Sequence, residues 1–162
     1  MYGRASLLQE YLTRTLANLV AIENLKAKGE SVFETTQLIN SLLGLIVFPR
    51  QSALSRIPKM QLASLRSKGW TLPLENNQYM NVTELRELVT SLRHAIAHFN
   101  IEFISDNSNS IGAIKFWNTK PQTTTRIWEA TFEVAMLRSF IAKLIEVLLK
   151  EEDAGHKESQ SV

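Results

Sequence analysis

Arg126-Ile-Trp-Glu-Ala-Thr-Phe-Glu-Val-Ala-Met-Leu-Arg-Ser-Phe-Ile-Ala-Lys-Leu-Ile-Glu-Val-Leu-Leu-Lys150 is the stretch on which the architecture turns. It contains neither proline nor glycine, and its apolar residues recur at three- and four-residue spacing, which predicts one helix over residues 126–150. Ile127, Trp128, Phe132, Val134, Met136, Leu137, Phe140, Ile141, Leu144, Ile145, Val147, Leu148 and Leu149 spread over more than one face. A helix apolar nearly all round is covered on two sides. It is then either the central helix of a bundle or has its second side against another chain.

Upstream, the period changes. Ile101-Glu-Phe-Ile-Ser and Ile111-Gly-Ala-Ile-Lys-Phe-Trp are β-rich runs joined by Asp106-Asn-Ser-Asn-Ser, the pattern of a hairpin. Before it, a third helix runs to about Phe99, capped by Asn81 or Thr83. Residues 50–78 are irregular, with Pro58, Gly69, Pro73 and a short helix over 59–67. A first helix spans about 5–28 and stops at Gly29; a second opens at a Ser31/Glu34 capping box and ends at Pro49. The expected fold is therefore all-α: a four-helix bundle over residues 1–150, with a β-hairpin at about 100–118 inserted before the last helix. Residues 151–162 are polar and expected to be a disordered tail.

Composition excludes several classes. With 162 residues, 44% hydrophobic and 21% charged, the chain suits a single globular domain. It has no cysteine, which removes disulfides, thiolate zinc sites and cysteine nucleophiles. No membrane span and no signal peptide are visible, so a cytoplasmic location is expected. The net charge is only +2 but unevenly placed. No acid lies between Glu34 and Glu75, where Arg50, Arg56 and Lys59 fall, nor between Asp106 and Glu129, where Lys115 falls beside Trp117. These cations can track a phosphate backbone and Trp117 can stack a base, or they are ordinary solvated charges.

Two of the three histidines sit in Arg93-His94-Ala95-Ile96-Ala97-His98. On a helical wheel starting at Leu85, the residues Leu85, Leu88, Val89, Leu92, Ile96 and Phe99 form the core face. Arg93, His94, Ala97 and His98 lie opposite, with Thr90. Imidazole changes charge near neutrality, so His98 can take a proton from a ribose 2′-hydroxyl or return one to a 5′-oxygen. Arg93 offers a permanently charged fork that matches a phosphate. Attack by a 2′-hydroxyl requires no metal. Arg93 and His98 are about 140° apart on one helix, so two such helices about a two-fold axis place them better than one.

This six-residue stretch resembles the signature of the HEPN superfamily: Arg, a polar residue, three further residues, then His. It is similar in particular to a plasmid- or phage-associated branch. The resemblance implies a homodimer with a composite site, Arg93 and His98 as catalytic residues and His94 as the polar motif position. It implies a metal-independent endoribonuclease without cofactor, acting on RNA as a toxin or defence component, with a cognate antitoxin protein as a further partner. Two rival readings stay open. His94 and His98 at i, i+4 can chelate zinc, although Ala95 stands where a zincin carries Glu and no third ligand is evident. The other rival is a non-catalytic dimerisation or RNA-binding module.

Overall fold

The stretch 126–150 does not form one helix. Residues 126–133 are extended, and the helix begins only at Val134. A computed structural model describes residues 6–49 and 54–159. Along the chain the elements are α1 (Leu7–Ala27), α2 (Glu34–Val47), α3 (Leu62–Ser67), β1 (Leu74–Glu75), α4 (Leu85–Ala97), β2 (Ile101–Ser105), β3 (Ile111–Thr119), β4 (Arg126–Glu133) and α5 (Val134–Ser159). The expected all-α bundle is thereby corrected to a mixed α/β fold: five helices and a four-stranded antiparallel sheet among the described residues. The last helix continues past Lys150 to Ser159.

The correction has a physical cause. Trp128 and Phe132 are four apart, so they share a face in a helix and in a strand alike. Ala130, buried between them, completes an alternation that a helix would break. Isoleucine, tryptophan, threonine and phenylalanine also suit a pleated, half-buried surface better than a helix. In β3 the buried residues Ile114 and Phe116 alternate likewise, and they sit opposite Phe132 and Ala130 across the ladder. Strands β2 and β3 form the expected hairpin, but the strand order is β1-β4-β3-β2, so the hairpin is half of a sheet rather than an appendage to a bundle. Asp106 pins its turn by accepting bonds from Ser108 N–H (2.8 Å), Ser108 Oγ (2.7 Å) and Ser110 N–H (2.9 Å). The Ser108 hydroxyl, followed by the two amides, holds the Asp106 carboxyl below its usual range.

The chain divides into two compact units, residues 1–57 with 141–162 and residues 58–140. In the first, α1 begins with a reciprocal cap: Ser6 Oγ accepts from Gln9 N–H (3.1 Å) while Gln9 Oε1 accepts from Ser6 N–H (3.0 Å). The second helix starts after Phe33 without a side-chain cap, so the Ser31/Glu34 box is not formed. Leu12, Leu19, Leu38, Leu42, Leu45, Ile46, Ile141, Leu144, Ile145 and Leu148 make the core of this unit. Gly44 lets the Tyr11 hydroxyl sit where a β-carbon would otherwise be, so a larger residue there would displace the Tyr11 side chain.

In the second unit, α4 packs across β3. Asn118 Nδ2 donates to Ser91 O (2.9 Å), tying strand to helix. Leu85, Leu88, Val89 and Leu92 join Ile114, Phe116, Trp128 and Phe132 in the core. The Phe132 ring lies 4.9 Å from Phe140 and 6.3 Å from Phe116, centroid to centroid. Such aromatic contacts add to area burial in fixing the geometry. No helix among the described residues is long and apolar enough to cross a membrane.

Candidate functional site

Helix α4 carries the motif, and its amphipathic pattern sets where each motif residue points. Leu85, Leu88, Val89, Leu92 and Ala95 are buried, which turns His94, Ala97 and His98 outward and leaves Arg93 half-buried. The N-terminus is capped by acids rather than by Asn81 or Thr83. Glu84 is the N-cap, and the Glu87 carboxylate accepts from Thr83 N–H (3.0 Å) and Glu84 N–H (3.3 Å). The Thr83 amide is the main cause that holds Glu87 below the usual carboxylate range; burial opposes it, and the Glu84 amide, the Thr83 hydroxyl and the charge on Lys59 add to it.

The C-terminus departs from the wheel. His98 is the C-cap, and the next residue, Phe99, takes a left-handed conformation with φ 55°. Phe99 N–H donates to Ile96 O (3.1 Å) and Asn100 N–H to Ala95 O (2.9 Å), the two bonds of a Schellman closure. Phe99 is therefore not in the core as the periodicity predicts: it is 88% exposed. The wheel fails because helical spacing ends at Ala97.

His94 and His98 open onto a cleft of about 910 Å³ within residues 58–140. One wall is α4, contributing Arg86, Glu87, Thr90 and Ser91 besides the two histidines. The facing wall is made by Asn118 and Thr119 of β3, Ile127 and Trp128 of β4, the turn at Pro121–Gln122, and residues 80–82. The wall is held from behind: Glu75 Oε1 accepts from Trp128 Nε1 (2.7 Å) and from Val82 N–H (3.0 Å), and Met80 N–H donates to Ile127 O (3.1 Å). A concave site with an apolar floor and convergent polar groups is what a small ligand or an unstacked base needs.

Arg93 does not line this cleft, so a single chain does not aim Arg93 and His98 at one point there. Of the cations expected to guide RNA, Arg56, Lys59 and Lys115 do not line the cleft either. Arg50 lies outside the described residues. Arg56 belongs to the other unit and pairs with Glu152 at 2.8 Å. Lys59 is exposed, and its charge reaches Glu87. Lys115 and Trp117 alternate with the buried Ile114 and Phe116, so they occupy the sheet face away from the core. Lys115 pairs there with Glu102 across the ladder (2.9 Å), and the Arg126 guanidinium sits 4.5 Å from the centroid of the Trp117 ring. Arg126 also binds Glu129, which is 9% exposed and accepts from Asn76 Nδ2 (3.0 Å). Burial pushes the Glu129 carboxyl up, but the bonds from Asn76 and Arg126 and the charges of Arg126 and Lys115 outweigh it and hold the group below its usual range.

Among the described residues, no three His, Asp or Glu side chains come together as a metal-binding group. The cleft also contains residues that motif reasoning passed over: Arg86, Ser91, Asn100, Asn118 and Trp128. Arg86 carried a sequence signal, standing eight residues before His94 and twelve before His98, both multiples of the i, i+4 step that keeps side chains in line. The wall residues carried none, because only strand pairing brings them to the helix.

No curated protein and no solved structure matches the chain. Residues 1–154 match the family model described as HEPN pEK499 p136, which agrees with a plasmid-associated branch of HEPN-like proteins, and the chain belongs to that family.

Proposed function

We propose that the protein is a metal-independent endoribonuclease of HEPN type. A ribose 2′-oxygen forms a bond to the adjacent phosphorus while the bond from phosphorus to the 5′-oxygen breaks. His98 accepts the proton of the 2′-hydroxyl, and a proton is returned to the departing 5′-oxygen. The products are a 2′,3′-cyclic phosphate and a 5′-hydroxyl. Arg93 stabilises the charge that builds on the phosphate, with the fork geometry that suits its oxygens. His94 fills the polar motif position.

The observation that carries this reading is the motif at the end of α4, with both imidazoles turned outward onto one cleft. That Arg93 lies off the cleft supports a composite site, in which two copies of α4 meet about a two-fold axis and each supplies part of the catalytic set. A toxin or defence role in the cytoplasm, held in check by an antitoxin protein, fits an unregulated nuclease of this kind. The same position of Arg93 favours the second reading, a non-catalytic dimerisation or RNA-binding module, if no second copy completes the pair.

The test is cleavage of total cellular RNA in EDTA by the wild type and by His98→Ala, with the product ends mapped. The expected result is cutting by the wild type to cyclic-phosphate ends and none by the variant. Sedimentation is expected to give a dimer at tens of micromolar. Uncut RNA in every wild-type reaction replaces the nuclease with the module, and a monomer ends the composite site.

A further inference from the structure

We infer that the cleft is a nucleobase pocket, in which Asn100 reads the base, favouring adenine, of the nucleotide whose 2′-hydroxyl faces His98. This rests on the ribonuclease reading and names a specificity residue within it. Three asparagines line the cleft, and two of them are engaged through their amide nitrogens. Asn81 Nδ2 donates to Asn77 Oδ1 (2.9 Å) and Asn118 Nδ2 to Ser91 O (2.9 Å). The Asn100 amide bonds to no described residue. Asn100 is half-buried, and no enclosed side-chain polar atom among the described residues lacks a partner, so this amide opens to solvent. Gln122 also offers an amide, but from an exposed turn and on a longer, freer side chain.

The backbone brings Asn100 to the cleft. On a continued helix it would stand about 200° from His98, on the side turned to the core. The left-handed turn at Phe99 ends the helix instead, and Asn100 lines the same cleft as His98. A bulky residue in that conformation is strained, and the Phe99 ring is exposed, so burial of the ring does not account for the turn. Both backbone groups of Asn100 are fixed. Its N–H donates to Ala95 O (2.9 Å), and its carbonyl accepts from Trp117 N–H (3.2 Å). Helix end and strand hold the residue, and its side chain is the part left for a ligand.

The surroundings suit a base. Met80, Val82 and Ile127 give the cleft an apolar wall, and a thioether such as that of the exposed Met80 makes favourable contacts with an aromatic ring. An asparagine amide presents a donor beside an acceptor, which meet adenine at N7 and N6 together. Two residues separate Asn100 from His98, so their Cα atoms lie within about 7.6 Å. In a nucleotide the base is bonded to the sugar carbon next to the one that carries the 2′-hydroxyl. One nucleotide can therefore meet both side chains.

The probes are 2′-O-methyl trinucleotides of adenine, uracil and cytosine. They lack the attacking hydroxyl, so binding is read without cleavage. The wild type is expected to bind the adenine probe roughly tenfold more tightly than the uracil probe, within the range that one bidentate amide–base pair discriminates. Asn100→Ala is expected to bring the adenine probe down to the uracil value and to leave the uracil probe unchanged. Asn100→Asp keeps the shape but only accepts, and is expected to place cytosine, whose N4 amine donates to a carboxylate, above adenine. Its added charge weakens all three probes alike, so the order is the measure, and it serves if the alanine variant does not fold.

Equal or reversed binding of adenine and uracil by the wild type overturns the inference, as does an adenine preference that survives in Asn100→Ala. So does an equal loss for every probe in Asn100→Ala, because Asn100 then shapes the helix end and reads no base. An adenine preference removed by Asn100→Ala, in a protein that cuts no RNA, sustains the pocket while the nuclease reading falls. Cleavage with no preference for the base at the cyclic-phosphate end leaves the nuclease standing and ends the pocket.

Discussion

The sheet in residues 58–140 has two polar neighbourhoods, and they behave as opposites. On the core side, beside α4, His94 and His98 are exposed and open onto a cleft. On the other face, Trp117, Arg126, Glu129 and Asn76 are closed on one another by stacking, an ion pair and a hydrogen bond. In the sequence the second neighbourhood reads as an RNA platform, an aromatic beside cations in an acid-free window. In the fold its charges are already matched. A polar cluster is available to a ligand when its groups converge on space, and it is part of the scaffold when they converge on each other.

The contrast can be broken most severely at Arg93. Arg93→Ala is expected to lower the cleavage rate roughly 10²-fold, the cost of removing one donor to a developing charge. Arg93→Lys is expected to restore part of that rate, because a point charge cannot reproduce the fork. His94→Asn is expected to cut at close to the wild-type rate. A zinc site would instead make His94→Asn inactive and Arg93→Ala mild.

Glu129 tests the other side. Glu129→Ala leaves Asn76 and Arg126 without their shared acceptor and is expected to destabilise the fold by about 1–2 kcal/mol in urea titrations. The cleavage rate per folded molecule is expected to stay the same, and a specific loss of cleavage would move Glu129 into the site. The pH dependence follows in sign. Glu129, Glu87 and Asp106 all have carboxyls held below their usual range in the folded chain. Their contribution is fully present above the ordinary carboxylate value near 4 and is lost as the pH falls through it toward the lower folded-state values. Stability is therefore expected to fall on acidification below about pH 4, and less steeply in Glu129→Gln.

The smallest effect is expected at Lys115. Lys115→Ala breaks a partly exposed pair with Glu102, worth about 0–1 kcal/mol, and is expected to leave RNA affinity and its salt slope unchanged. A drop in both would return Lys115 and Trp117 to the RNA-binding surface.

How much of this was legible depends on which interactions are local. The motif helix shows in the sequence because Leu85, Leu88, Val89 and Leu92 mark one period with no competing one. The hairpin shows because Asp106 carries its own turn chemistry. β4 was hidden, since Trp128 and Phe132 satisfy two periods at once and the arbitration lies in β3, a different strand. β1 is two residues long and has no pattern of its own; pairing with β4 defines it. The cleft shares that fate. Its helical wall follows from i, i+4 spacing, but Asn118 and Trp128 reach it only through the register that sets them opposite each other. The Glu102–Lys115 pair is likewise a product of register, which a count of charges along the chain does not reveal.

One consequence follows from the turn after His98. A left-handed residue at a helix end is the natural place for glycine, yet phenylalanine holds it here, at φ 55° with its ring in solvent. Backbone strain of this kind costs on the order of 1 kcal/mol, and the exposed ring recovers little of it by burial. The protein thus carries an untapped stability reserve one residue from His98. Whoever seeks a hardier version of this chain will find the easiest gain there, at the spot where a rigid, compact turn would alter the approach to His98.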